Sequence, residues 1–404
     1  MRTIGEALDR NKGIGPGFDF LRIALAMSVL FAHSFLIAEG EKFQYSTPPL
    51  ALMHASIIPM FFTLSGFLIT GSALRLSLKN FILNRGMRIV PALAMDIFFA
   101  AIIIGPIFTT YSLSEYFSNY AFLSYFANIV GLIHYTLPGV FENNPFPNTV
   151  NGSLWTVPFE IGCYALMALV ILTSLLRRPR ILLCAALCFA VLVFLSLAYE
   201  WVPFGGEGRV FTAANHFLRS DGRALYVYFL AGILLYLFRN KIPFHPAIFG
   251  AAVLLFFLAA FDVFSALPQM SVKLLLIPIV AYVTVYIGLS PIPRIPIYDR
   301  GDYSYGIYLY GYPFQQALVT LFPKLTSPWL HFGISLALVT GVAMLSWHFI
   351  EKPTLGLRKK YSFTARKGDL NEKLPAVAEP STSRDRENSS ASASPAFPTT
   401  GRFG

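Results

Sequence analysis

Charge is what this chain has least of. Only 13% of its 404 residues are Asp, Glu, Lys or Arg, about half the share of an ordinary soluble domain. Beside 55% apolar residues and 38 phenylalanines, that scarcity excludes a soluble globular enzyme. Cysteine is also scarce: Cys163, Cys184 and Cys188 all fall within apolar stretches. Their spacing suits neither a disulfide framework nor a metal site, and they read as small core residues. Met1 to Gly17 lacks an apolar core, so the first span is expected to act as an uncleaved signal anchor. Internal repeats are lacking too. The net charge of +10 would suggest nucleic acid in a soluble protein. Here the bases cluster in short loops between apolar runs, which is a topology signal, and no nucleic-acid partner is expected.

What is present is a series of runs near twenty apolar residues, the length that crosses a bilayer. The expectation is an all-α polytopic membrane bundle of about ten transmembrane helices. The spans are placed near 18–38, 51–74, 89–110, 154–176, 181–199, 223–238, 244–261, 272–290, 302–322 and 329–350. The apolar stretch 120–134 is too short to span comfortably and reads as an interfacial or re-entrant helix. Basic clusters at 75–88, 177–180, 239–241, 294–300 and 358–360 then all follow even-numbered spans, which puts both termini in the cytoplasm. Three regions result: a cytoplasmic segment 1–17, a membrane domain 18–357, and a basic then disordered cytoplasmic tail 358–404. Residues 366–404 are rich in Ser, Pro, Ala and Thr and have little apolar surface to bury.

Ionisable groups within spans are costly and mark cavities or pathways. Arg22 and His33 are eleven residues apart in the first span, so they share a face roughly 16 Å apart along the axis. A snorkelling Arg and a packed His are the plain alternative. Arg85 and Arg88 share a face where the third span begins. With helix N-terminal amides they would hold phosphates, and ordinary positive-inside anchoring is the alternative. Asp96 is a further buried charge, with Arg88 as a candidate partner. Glu160 lies about six residues inside the fourth span, at a depth similar to that of His33. A carboxylate there would orient the imidazole as a general base; a hydrogen bond elsewhere in the bundle is the alternative. Tyr164 is one turn on. Ser65 fits a helix contact or a cavity wall, and Tyr305, Tyr308 and Tyr312 fit a path for a polyhydroxylated ligand or an interfacial aromatic belt.

Taken together these stretches resemble the acyltransferase-3 family of integral membrane O-acyltransferases of cell-surface carbohydrates. The matching pieces are Arg22 and His33, F-F-T-L-S-G-F-L-I (61–69), R-G-M-R-I-V-P-A (85–92), W-T-V-P-F-E (155–160), S-Y-G-I-Y-L (304–309) and F-I-E-K-P (349–353). They fall in the family's order over Phe18 to Leu357. Tyr310-Gly311 stands where many members have Trp-His, and no fused esterase-like domain is present. The resemblance implies an acyl-CoA donor, most often acetyl-CoA, arriving from the cytoplasm, and no metal. It implies a carbohydrate or lipid-linked sugar acceptor, membrane lipid and glycan-assembly proteins as partners, and a place in a bacterial inner membrane. On this reading Arg22, Arg85 and Arg88 hold the donor, while His33 with Glu160 does the chemistry. Ser65, Trp155, Tyr164, Tyr305 and Tyr308 line the substrate path. A flippase of lipid-linked sugars, or an O-acyltransferase of a small-molecule acceptor, would also suit the same spans and charges.

The tail carries one expected outcome. Deleting 366–404 leaves acyl transfer nearly intact in a membrane assay, and an inactive truncation would show that the tail takes part.

Overall fold

A computed structural model of the chain describes residues 1–11, 13, 15–40, 48–198, 222–293, 295–298 and 300–361, all within the unit Met1–Thr364. Among these residues the structure is helical and has no strand. The helices, in chain order, are α1 Ile4–Arg10, α2 Phe18–Glu39, α3 Pro48–Ala73, α4 Leu78–Phe99, α5 Gly105–Phe108, α6 Leu113–Ser118, α7 Tyr120–Tyr125, α8 Val157–Leu172 and α9 Pro179–Ala198. They continue with α10 Arg223–Leu237, α11 Pro246–Ala260, α12 Gln269–Leu289, α13 Ser304–Leu321, α14 Pro328–Ser346 and α15 Lys352–Tyr361. A π-helical turn, Ala100–Ile104, joins α4 to α5, and a second, Trp347–Glu351, joins α14 to α15.

Seven of these helical stretches are long and apolar enough to cross a membrane among the described residues: Phe18–Glu39, Ala51–Ala73, Leu78–Phe108, Gly152–Leu172, Pro179–Ser196, Ser271–Leu289 and Pro328–Leu357. The apolar helices Arg223–Leu237 and Pro246–Ala260 are shorter, and α13 is interrupted in composition by polar residues such as Gln315 and Gln316. The stretch after α6 forms the short α7 and a 3-10 turn, Phe126–Val130. The loop 200–222, up to Asp221, and the tail beyond Tyr361 lie outside the described residues.

Two local readings of the sequence need correction. The basic stretch 75–88 is not a loop before the third span. Ser77 caps α4 by accepting from the Asn80 amide, and helix runs unbroken through Arg85 and Arg88. Both arginines therefore sit about two turns or more inside the helix, away from the free amides of its N-terminus. The second correction concerns cysteine. Cys163 is buried, but Cys184 and Cys188 are exposed. They lie on α9 with Ile181, Leu187 and Val191, which are at least half exposed. An outward apolar helix face suits a lipid solvent, so apolar sequence did not distinguish core from periphery there.

The segment before α2 is tied down. Thr3 and Glu6 form a capping box on α1, and the Ile4 and Gly5 amides donate to the Ile242 and Arg239 carbonyls at 2.9 Å each.

Helices α3 and α10 cross closely. A Cβ on Gly66 would fall 2.1 Å from the Phe229 carbonyl oxygen, and one on Gly232 would fall 2.1 Å from the Thr63 carbonyl oxygen. The two glycines thus let each backbone rest on the other, as small residues do in membrane bundles. Gly66→Val should destabilise the protein by about 1–3 kcal/mol or more, read as a lowered melting temperature in detergent. Gly333→Ala, where a Cβ meets nothing within 4 Å, should leave it unchanged; equal effects would show that the seam is loose.

Candidate functional site

Five elements enclose a cavity of about 250 Å³, set where two apolar clusters meet. Arg22 comes from α2, Ser65 from α3, Arg85 and Arg88 from α4, Glu160 and Tyr164 from α8, and Tyr305 and Tyr308 from α13. These are eight of the ten residues expected at the site. They come together because each helix turns its few polar residues away from the apolar outer face. An uncompensated polar group against hydrocarbon costs several kcal/mol.

The cations are matched by acids. Arg88 donates to Asp302 Oδ2 at 2.5 Å, and Arg22 approaches the same oxygen at 3.7 Å. Arg22 also pairs with Asp19 one turn earlier on α2. The partner of Arg88 is therefore Asp302 rather than Asp96. Asp96 is buried and accepts from Asn151 Nδ2 at 2.8 Å, an amide that also donates to the Leu309 carbonyl at 3.0 Å. Asn151 of the N-G-S triplet is thus spent inside the protein, with no exposure left.

Hydroxyls line the cavity as well. Tyr308 donates to the Ser153 carbonyl at 3.1 Å and lies 2.8 Å from Thr156 Oγ1. Glu160 Oε2 is buried and has no hydrogen-bond partner among the described residues. A buried carboxylate oxygen without a donor is costly unless a ligand or water supplies one. Cys163 also borders the cavity.

His33 and Trp155 are the two expected site residues that do not line this cavity. Trp155 packs edge-on to Phe159, centroids 6.0 Å apart. His33 stands edge-on to Tyr312, centroids 5.0 Å apart, with His54 of α3 nearby, while Arg88 lies near Glu160. Among the described residues no hydrogen bond or ion pair joins His33 to Glu160, and His33 does not line the cavity that Glu160 borders. The two residues were matched by depth alone. Helix α13 packs against α2 and also against the Gly152–Thr156 turn leading into α8. Tyr312 nonetheless follows Tyr308 by one turn of α13, roughly 6 Å along the axis. The tyrosine row runs from the cavity wall to His33.

Sequence reasoning missed Asp302, Thr156 and His54. Asp302 had a signal: an acid just before a helix, in a chain whose spans carry arginines that need a counter-charge. His54 had only its position near the start of a span. Among the described residues no group of three or more His, Cys, Asp or Glu gathers as metal ligands would.

The chain is similar to two characterised proteins over most of its length. It is 26% identical to nodulation protein 10 of Rhizobium leguminosarum bv. viciae over 371 residues, which cover 88% of this chain and 97% of the relative. It is 24% identical to the O-acetyl transferase of Shigella phage Sf6 over 358 residues, 83% of this chain and 94% of the relative. No solved structure matches. The acyltransferase-domain model of the acyltransferase-3 family matches residues 16–348, which contain the whole cavity, and the chain belongs to that family and is an acyltransferase.

Proposed function

We propose that this chain is an O-acyltransferase. It moves an acyl group, acetyl in the simplest case, from cytoplasmic acyl-CoA to a hydroxyl of a cell-surface polysaccharide, lipopolysaccharide or lipid-linked sugar. The observation that carries this reading is the cavity itself, with Arg22, Arg85 and Arg88 in its lining together with the hydroxyls of Ser65, Tyr164, Tyr305 and Tyr308. Guanidiniums suit phosphate through several N–H donors each, and CoA offers phosphates at one end and a thioester at the other. The likeness to a named O-acetyl transferase agrees with transfer to oxygen.

In this reading the donor phosphates lie by the arginines. The pantetheine arm runs up the wall of Ser65, Tyr164, Tyr305 and Tyr308. Glu160 accepts an amide N–H of the arm, which gives its bare oxygen a partner. The arm carries the thioester along the tyrosine row toward His33. There the imidazole takes the proton of the acceptor hydroxyl as the oxygen attacks the thioester carbonyl. The C–S bond breaks, the thiolate leaves and recovers the proton, and an ester remains. Glu160 thus serves the donor rather than orienting His33, whose ring is braced by Tyr312.

The topology belongs to the same proposal. The seven long helices with α10, α11 and α13 make ten spans. The bonding of α1 to residues 239–242 supports it, since both lie on one side only if an even number of spans separates them. Both termini and the arginines then face the cytoplasm, and an inner bacterial membrane supplies both donor and glycan.

Two outcomes test the reading. His33→Ala should lower CoA release from acetyl-CoA by about 10² or more while CoA binding holds; release at the parent rate would remove His33 from the chemistry. Arg85→Ala and Arg88→Ala should raise the donor KM about tenfold each and leave the acceptor KM alone; the reverse pattern would refute the donor site. Mass spectra of the host's surface glycans with and without the protein would name acyl group and acceptor together.

A further inference from the structure

Asp302 belongs to none of the motifs that mark the site, yet it is the residue on which two of the arginines converge. Arg88 donates to its Oδ2 at 2.5 Å, Arg22 lies 3.7 Å from that oxygen, and Ser304 Oγ donates to Oδ1 at 2.7 Å. Both oxygens are therefore engaged. Arg22 and Arg88 line the main cavity, whereas Asp302 does not and lines a second cavity of about 260 Å³. The carboxylate thus meets the guanidiniums from outside the main cavity.

The turn that carries Asp302 is clamped as well. A Cβ on Gly301 would fall 2.4 Å from the Trp347 indole nitrogen, so the indole rests on the backbone there. The buried Tyr303 places its hydroxyl 3.2 Å from His348 Nε2. Trp347 and His348 both belong to the π-helical turn after α14, a feature enriched at functional sites. A flexible guanidinium loses rotamer freedom when it binds an anion. A carboxylate fixed on a clamped turn removes that freedom beforehand and leaves other N–H donors of the same group for the ligand.

We propose that Asp302 is a positioning residue for the acyl donor, holding Arg22 and Arg88 from outside the main cavity so that both present N–H donors to it at a fixed separation. The proposal rests on the reading of that cavity as the donor site. The test is equilibrium binding of CoA to the full-length protein in detergent. Asp302→Asn should weaken CoA about tenfold, and Asp302→Glu, which keeps the charge, should stay within about threefold of the parent. Adding Asp302→Asn to the Arg22→Ala, Arg88→Ala double variant should weaken CoA no further, because Asp302 acts through those two arginines. Unchanged CoA binding in Asp302→Asn, or a further loss when it is added to that double variant, would overturn the proposal. So would failure of both Asp302 variants to fold, which would assign the residue to the scaffold. If Arg88→Ala itself binds CoA as the parent does, the donor-site reading falls and takes the proposal with it; if Arg88→Ala weakens CoA and Asp302→Asn does not, only Asp302 is removed.

Discussion

A charge inside a bilayer-spanning bundle persists only if something matches it, and this constraint shapes the centre of the protein. Arg88 and Arg22 share Asp302, and Arg22 adds Asp19. Asp96 has the Asn151 amide, and the buried Glu351 accepts from Ser346 at 3.0 Å. Apart from Arg22–Asp19, which lies within α2, each match joins different segments or fixes a turn between helices. The polar groups therefore do two things at once: they satisfy one another, and they hold open a cavity that apolar side chains alone would close.

Against that background Asp96 Oδ1 and Glu160 Oε2 are left incomplete, and of the two residues Glu160 is the one that lines the main cavity. One of its oxygens is buried without a donor among the described residues, in a cavity whose other walls supply hydroxyls and guanidiniums. An arm bearing amide N–H groups would complete it. His33 sits one helical turn beyond the cavity wall, on the far side of Tyr308.

Much of this was legible in the sequence, for identifiable reasons. Long apolar runs announce helices whatever their neighbours, and the helices fall where the runs fall, down to the short α7 that was held back from the span count. Buried charges announce a cavity, and eight of ten expected residues line one. What could not be read was rotation and pairing. Depth along a span put His33 beside Glu160, but only Glu160 lines the cavity. Proximity in sequence suggested Asp96 for Arg88, but the partner came from residue 302. Arg85 and Arg88 looked like a helix start because bases often sit in loops, and Ser77 had already capped that helix two turns earlier. Cys184 and Cys188 face outward because lipid, unlike water, accepts an apolar surface.

On the proposed reading of the cavity as the donor site, the seam between α3 and α10 bears on which acyl groups can be carried. Two backbones already touching through Gly66 and Gly232 cannot be pressed closer, and α3 supplies much of the cavity wall from Ile58 to Ser72. That side is an anvil: it has no give. Room for a longer chain must come from the facing tyrosines of α13, so chain-length preference in relatives is expected to vary with the size of the residues at 305 and 308 while the glycine seam stays as it is.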